Sequence, residues 1–246
     1  MKFFVSTIAE NGADFARQYG LGLEIADFCY APSLDRDFTE ADKACREKMA
    51  GLDDFWFHGP FAELCPAAID PEIREIAAKR YTQTLKIAAE YGIKNIVFHG
   101  GYTPQIYFPE WFIPESVKFW KAFLEKVPAD VTLALENVME TSPELLTEVV
   151  RQVDDSRLGL CIDMGHANLT EVPLSKWIEE SAPYLRHVHI HCNDGNRDSH
   201  SPFGTGTVDA EEVLKQLQTL CPQVSITVEM MEPRSSIQWL VERGWL

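Results

Sequence analysis

The chain has 246 residues, 46% of them hydrophobic and 24% charged, with a net charge of −16 from 22 basic and 38 acidic residues. This composition is that of a globular protein and excludes a low-complexity polypeptide, while the acidic balance, without any cluster of Lys or Arg, argues against nucleic acid as a partner. No apolar run approaches the ~18 residues needed to cross a membrane, and Met1-Lys2-Phe3-Phe4-Val5 lacks the apolar core of a signal peptide.

Six cysteines (29, 45, 65, 161, 192 and 221) are scattered without a CxxC pair, a usage that fits reduced thiols in the cytoplasm. No linker rich in Pro, Gly or Ser divides the chain, so residues 1–246 read as one domain, a length that suits a single α/β barrel of ~250 residues.

Strand-like and helix-like segments alternate from end to end. Residues 2–6 read as a strand and 13–19 as a helix, followed by a strand over 22–26 and a helix over 40–49. The third strand is 54–58, before a long helix over 71–91 that opens on Pro71 and closes at Gly92. The fourth strand, 95–99, leads into a Tyr/Trp-rich loop and a helix over 115–127. The remaining strands are 131–136, 158–163, 185–191 and 224–229, with helices over 143–153, 174–180, 209–220 and 235–243.

Eight such repeats predict a (β/α)8 TIM barrel, with a doubly wound open sheet as the competing fold. The faces of the last four strands favour the barrel. One face carries Leu133/Leu135, Leu158/Leu160/Ile162, Val188/Ile190 and Ile226/Val228; the other carries Thr132/Ala134, Gly159/Cys161, His187/His189 and Ser225/Thr227. Large apolar residues on one side suit packing under helices, and small or polar ones suit a narrow barrel interior. An open sheet covered by helices on both sides should be apolar on both.

The last inward position of each strand carries the chemistry. Strands three to eight end in His58, His99, Glu136, Asp163, His191 and Glu229. In a barrel these positions converge at the C-terminal mouth, where the active sites of this fold lie. Each alone could be an ordinary exposed polar residue; six in succession point to a site. Mixed imidazole and carboxylate ligands suit Zn²⁺, Mn²⁺ or Fe²⁺ better than Ca²⁺ or Mg²⁺. His166, one helical turn past Asp163, and the pair Asp198/His200 extend the set, although Asp198 and His200 also read as a solvated loop. Clustered carboxylates would repel one another without cations, so two or three divalent ions fit the charge. Of the three histidines in 187–191, His191 reads as the ligand, His189 as a residue that orients a ligand from one layer deeper, and His187 as structural.

These residues, in the passages 160–166 (LCIDMGH), 191–194 (HCND) and 198–200 (DSH) ahead of 204–206 (GTG), with His58-Gly59-Pro60, His99-Gly100-Gly101, Glu136-Asn137 and Glu229, resemble the endonuclease IV/xylose isomerase-like TIM-barrel superfamily along essentially the whole chain. The resemblance implies a trinuclear zinc site in which His58, His99 and Glu136 hold one ion. Glu136, Asp163, His191 and Glu229 hold a second; His166, Asp198 and His200 hold a third. It equally implies the sugar isomerase and epimerase branch, where Glu136, Asp163, His191 and Glu229 surround a single Mn²⁺-like ion. There the two glutamates transfer protons and His166 contacts substrate.

The resemblance is incomplete. The loops at 28–33 and 61–64 hold no basic residue of the kind with which endonuclease IV-like proteins grip DNA. Tyr102, Tyr107, Trp111 and Phe112 read either as a roof over a small polar substrate or as packing beneath helices, and Arg197 and Arg234 as cations for a hydroxyl- or phosphate-bearing substrate. The leading expectation is a metal-dependent sugar or sugar-phosphate isomerase/epimerase with one to three Zn or Mn ions, Glu136, Glu229 and His166 as catalytic residues and Arg197, Arg234 and Trp111 as substrate contacts. The alternative is an endonuclease IV-like multinuclear zinc phosphoesterase; a non-catalytic metal-binding barrel ranks last. Oligomeric state is not legible in the sequence.

Overall fold

The computed structural model describes residues 1–35 and 38–246. The strands are β1 (Lys2–Ser6), β2 (Gly22–Ile25), β3 (Phe55–His58), β4 (Asn95–His99), β5 (Thr132–Glu136), β6 (Leu158–Asp163), β7 (Leu185–Ile190) and β8 (Ser225–Val228). They pair in parallel in strict chain order as a closed barrel, sealed where β1 meets β8 from Lys2↔Ser225 to Val5↔Val228. The expected (β/α)8 barrel is therefore what the chain forms, and the open sheet is excluded.

The helices among the described residues are α1 (Gly12–Tyr19), α2 (Phe38–Met49), α3 (Pro71–Glu90), α4 (Pro109–Leu124), α5 (Glu144–Val153), α6 (Met164–Ala167), α7 (Leu174–Ser181), α8 (Ala210–Leu220) and α9 (Arg234–Glu242). Their ends follow local chemistry. Asp70 caps α3 by accepting from the backbone N–H of Glu72 at 2.8 Å, with Pro71 in the first turn. One helix departs from expectation: α4 starts six residues before the predicted 115. Pro109 fits the first turn, and Pro114 forgoes one intrahelical bond while Phe112 is buried edge-on to Tyr102, ring centroids 5.0 Å apart. The first two turns of this helix lie in the segment expected as the Tyr/Trp-rich loop.

Leucines, isoleucines and valines of the outward strand faces pack under the helices in one continuous core. Inside the barrel, Phe4, Trp56, Val97, Ala134 and Cys161 form a separate apolar cluster. Gly22 belongs to this layer by necessity, because a Cβ there would fall 2.2 Å from the Phe4 ring. His187 closes the layer by stacking on Trp56 at 4.1 Å, with 23° between the rings. Above this floor the interior turns polar. The register between β6 and β7 slips after the Leu160↔Leu185 pair, so that Cys161 faces His187 and Asp163 faces His189. That slip sets the depth of the histidines of β7 beneath the mouth.

Candidate metal centre

His58, His99, Glu136 and Asp163 are the last residues of their strands; His191 and Glu229 each follow theirs by one. The barrel brings them together, with the residues of the following loops, in groups whose ligand atoms lie within 4.8 Å of one another; two deeper ones, Glu24/His58/His189/Glu229 and Glu136/Cys161/His189, overlap three that together take in the strand-end residues. The first is His58, His99 and Glu136; the second Glu136, Asp163, His189 and Glu229; the third His166, His191, Asp198 and His200. All nine residues expected as ligands fall in these groups. Within those three the grouping differs from the expected one in that His189 stands with the second group and His191 with the third; the two deeper groups add Glu24 and Cys161, which were not expected as ligands.

Glu136 is the hub. Its Oε2 lies 3.2 Å from His58 Nε2 and 3.4 Å from His99 Nε2, and its Oε1 lies 3.1 Å from His189 Nδ1. His191 bridges toward the third group, with Nε2 3.2 Å from Asp163 Oδ1 and 3.6 Å from Asp198 Oδ1, and its ring stacked on His200 at 3.8 Å.

Three imidazoles are aimed by the backbone. His58 Nδ1 donates to Gly59 O at 2.8 Å, His166 Nδ1 to Asn137 O at 2.9 Å and His200 Nδ1 to Glu229 O at 2.8 Å. Each bond fixes the tautomer and turns Nε2 toward a carboxylate of the site, the arrangement in which a neutral imidazole ligates a metal.

Two asparagines of the quoted motifs, Asn137 and Asn193, and one residue that the sequence did not single out, Glu24, hold this geometry. Asn137 clamps the ends of β5 and β6, accepting from Asp163 N at 2.9 Å and donating to Asp163 O at 3.1 Å. Asn193 donates to Gly165 O at 2.8 Å, tying the loop after β7 to α6. Glu24, wholly buried on β2, accepts from Thr227 Oγ1 at 2.5 Å and His187 Nε2 at 2.9 Å, and its Oε1 lies 2.9 Å from His189 Nε2. His189 thus spans from Glu24 to Glu136 and Glu229, its Nδ1 lying 3.3 Å from Glu229 Oε2. The signal for Glu24 was a lone carboxylate on the inward face of an apolar strand, two residues after Gly22.

The electrostatics are those of a carboxylate cluster held together by imidazolium groups. Burial pushes Glu136 up, yet His189, His99 and His58 outweigh it and hold the carboxylate well below its usual range. Asp163 is likewise lowered against its burial by His166 and His191, and Asp198 by His166 and His200. Burial opposes the charge on His58 and His200, but Glu136 raises the first to about 9 and Asp198 raises the second to about 9.

The donor set fits a divalent metal. Among the described residues, Asp163 Oδ2 and His191 Nε2 are fully buried with no hydrogen-bond partner, although Asp163 Oδ1 lies close to that nitrogen. Such orphaned atoms are costly unless something ligates them. Imidazole nitrogens and carboxylate oxygens in these numbers are the ligands of Zn²⁺ and Mn²⁺.

The centre forms the floor of a cavity of about 1120 Å³ at the C-terminal mouth, lined by His58, His99, Glu136, His166, Asp198, His200 and Glu229 below, and by loop residues above. Arg197, Arg234 and Trp111 do not line it. Arg234 lies over the Phe15 ring at 5.1 Å, Trp111 donates its indole N–H to Ala67 O at 2.9 Å, and Arg197 is exposed on the loop after β7. Among the described residues, no helix is long and apolar enough to cross a membrane.

This chain belongs to the xylose isomerase-like TIM barrel family, whose model matches residues 7–244. It is 27% identical over 193 residues to an uncharacterised protein of Methanocaldococcus jannaschii; the match takes in 74% of this chain and 66% of that relative, just under two thirds of its length. It is 26% identical to a probable endonuclease 4 of Aquifex aeolicus across 86% of this chain and 85% of the relative. In fold it resembles the crystal structure of a D-tagatose 3-epimerase-like protein with a TM-score of 0.80 and 22% identity, covering 100% of this chain and 97% of that one. The likeness thus reaches, in sequence, a protein named as a probable endonuclease and, in fold, one named as epimerase-like.

Proposed function

We propose that the protein is a metal-dependent sugar isomerase or epimerase whose divalent ion is held by Glu136, Asp163, Glu229 and a histidine of β7 or the residue just beyond it. The observation that carries this reading is the convergence of Glu136 and Glu229 on one nitrogen, His189 Nδ1, at 3.1 and 3.3 Å, at the floor of a cavity open to small molecules. A bound ion supplies polarisation of neighbouring carbonyl and hydroxyl oxygens of the substrate.

The chain's own residues supply the proton chemistry. Either glutamate, Glu136 or Glu229, removes the proton from the carbon next to the polarised carbonyl. Return of a proton from the other glutamate to the opposite face of that carbon gives the epimer; return to the former carbonyl carbon, with the hydroxyl proton passing between the two substrate oxygens, gives the isomer. His166, with Nδ1 fixed on Asn137 O and Nε2 3.3 Å from Asp198 Oδ2, lines the cavity as a contact for a substrate oxygen.

A second reading, hydrolysis of a phosphoester, is favoured by one observation: His166, His191, Asp198 and His200 form a further ligand group that a one-ion epimerase does not need. Metal content separates the two, with about one ion per chain expected for epimerisation and about three for hydrolysis. The direct test of the first reading is Glu229→Gln, which should lower exchange of the substrate C–H proton with solvent deuterium by roughly 100-fold, the usual contribution of a general base. Full exchange by that variant on the true substrate would overturn the assignment.

A further inference from the structure

The cavity above the metal centre has an apolar wall. Tyr30 from the loop after β2, Ile73 from the first turn of α3, Ile106 from the loop after β4, Met139 from the loop after β5 and Met231 from the loop after β8 all line it. Four of them are conspicuously exposed: Tyr30 at 57%, Ile106 at 60%, Met139 at 55% and Met231 at 66%. Single exposed apolar residues are ordinary, but five separate connections each delivering one to the same opening form a patch that marks a binding surface. Two are methionines, whose flexible side chains adapt to an apolar guest.

Charge limits the guest further. No Lys or Arg among the described residues lines the cavity, whereas Asp27 and Glu63 do. Behind the wall, Lys48 is already paired with Asp27, which also accepts from Thr7 Oγ1 at 2.6 Å. A phosphate or carboxylate on the outer part of a substrate would meet acids and hydrocarbon. At about 1120 Å³ the space also exceeds the ~300–1,000 Å³ typical of pockets for drug-sized ligands, and is far larger than a free monosaccharide requires.

We infer that the substrate is an uncharged sugar that keeps a free carbonyl and bears an apolar alkyl or aryl substituent away from it, rather than a sugar phosphate. Its hydroxyl-bearing end reaches the floor at Glu136, Glu229 and His166, and its substituent lies between Tyr30, Ile73, Ile106, Met139 and Met231. This rests on the sugar-directed reading above and narrows it.

Calorimetric titration of the zinc-loaded protein with methyl, butyl and hexyl β-D-glucopyranoside, which lack the carbonyl and so report binding alone, and with glucose 6-phosphate, tests the inference. Each methylene buried is worth about fourfold in affinity at most, so hexyl glucoside should bind at least tenfold tighter than methyl glucoside. Ile106→Ser and Met231→Ser, both at exposed positions where folding is not at stake, should each shrink that ratio to below threefold. No dependence on chain length, a dependence unaffected by both variants, or tighter binding of glucose 6-phosphate than of hexyl glucoside would each overturn the inference. Solvent-proton exchange reads the reaction separately. Exchange on free sugars without any chain-length effect overturns this inference and leaves the epimerase reading standing, whereas a chain-length effect without exchange on any free sugar supports it and counts against that reading.

Discussion

Gly165 lies against the imidazole of His191 so closely that a Cβ on it would fall 1.8 Å from Cε1, 2.4 Å from Nδ1 and 2.5 Å from Nε2. The ring occupies the space that any other residue at position 165 would need. Gly165→Ala should therefore displace His191 from Asp163 and Asp198 and lower zinc affinity at least tenfold. The fold should survive, because alanine suits a helix better than glycine by about 1 kcal/mol, which offsets part of an overpacking cost of about 1–3 kcal/mol. Zinc titration alongside thermal unfolding checks this; unchanged affinity would show that His191 is not a ligand.

Glu24 makes a comparable demand from below. It is the sole carboxylate that touches both His187 and His189 among the described residues, and those two histidines with Glu136 hold the deep polar layer together. Burial pushes Glu24 up, but His189 and His187 hold it well below the usual carboxylate range, so it is charged at neutral pH. Glu24→Gln keeps the shape and removes the charge. Breaking a buried pair in this way costs about 3 kcal/mol, read as a lower urea midpoint at pH 7 in metal-free protein. A midpoint equal to that of the unmodified chain would mean that the pair is not ionised.

How far the sequence could lead to this site depended on which features are set locally. Strand alternation and the polar residue ending each strand are properties of short segments, so the barrel and the nine clustered residues are legible in the sequence. The exchange of His189 and His191 between groups is not. It follows from the slip between β6 and β7, which sets Asp163 opposite His189 and is a property of strand pairing rather than of either strand. Glu24 was missed because its partners are 163 and 165 residues away. The expected substrate contacts depended on loop paths: Arg234 rests on Phe15 and Trp111 is tied to Ala67, neither contact being written in the local pattern.

Metal uptake should release protons. In the metal-free protein, His58 and His200 are both raised to about 9, and His166 is raised well above the ordinary histidine value, so all three carry a proton at pH 7. Their Nδ1 atoms donate to backbone carbonyls, so the proton that must leave is the one on Nε2. Zinc affinity should consequently rise as pH goes from 7 to 9, with up to three protons released at full loading. The linkage to stability has a definite sign. A histidine raised in the folded state contributes stability that is fully present below about 6.5 and is lost as pH rises through about 9, so metal-free protein should weaken over that window while zinc-loaded protein should not. Calorimetry in buffers of different ionisation enthalpy counts the protons, and a count of zero would exclude these imidazoles as ligands.

Glu140 provides a test of opposite chemical character. Its carboxylate is buried beside Gly100 and accepts from Val138 N at 2.7 Å, Met139 N at 3.2 Å and Tyr102 N at 3.4 Å, bracing the loop after β5 against the loop after β4. Burial outweighs these bonds and pushes it up to about 7. A carboxylate raised in the folded state favours folding fully below its unfolded value, near 4.5, and that contribution is lost as pH rises through about 7. Glu140→Gln keeps an acceptor for the backbone N–H groups without the titration. Subtracting the two unfolding free energies across pH 4 to 8 should therefore give a difference that is flat below 4.5 and moves in favour of the variant by up to about 3 kcal/mol above 7. A difference independent of pH would mean that Glu140 titrates alike in the folded and unfolded chain, and that water reaches it in the loop it braces.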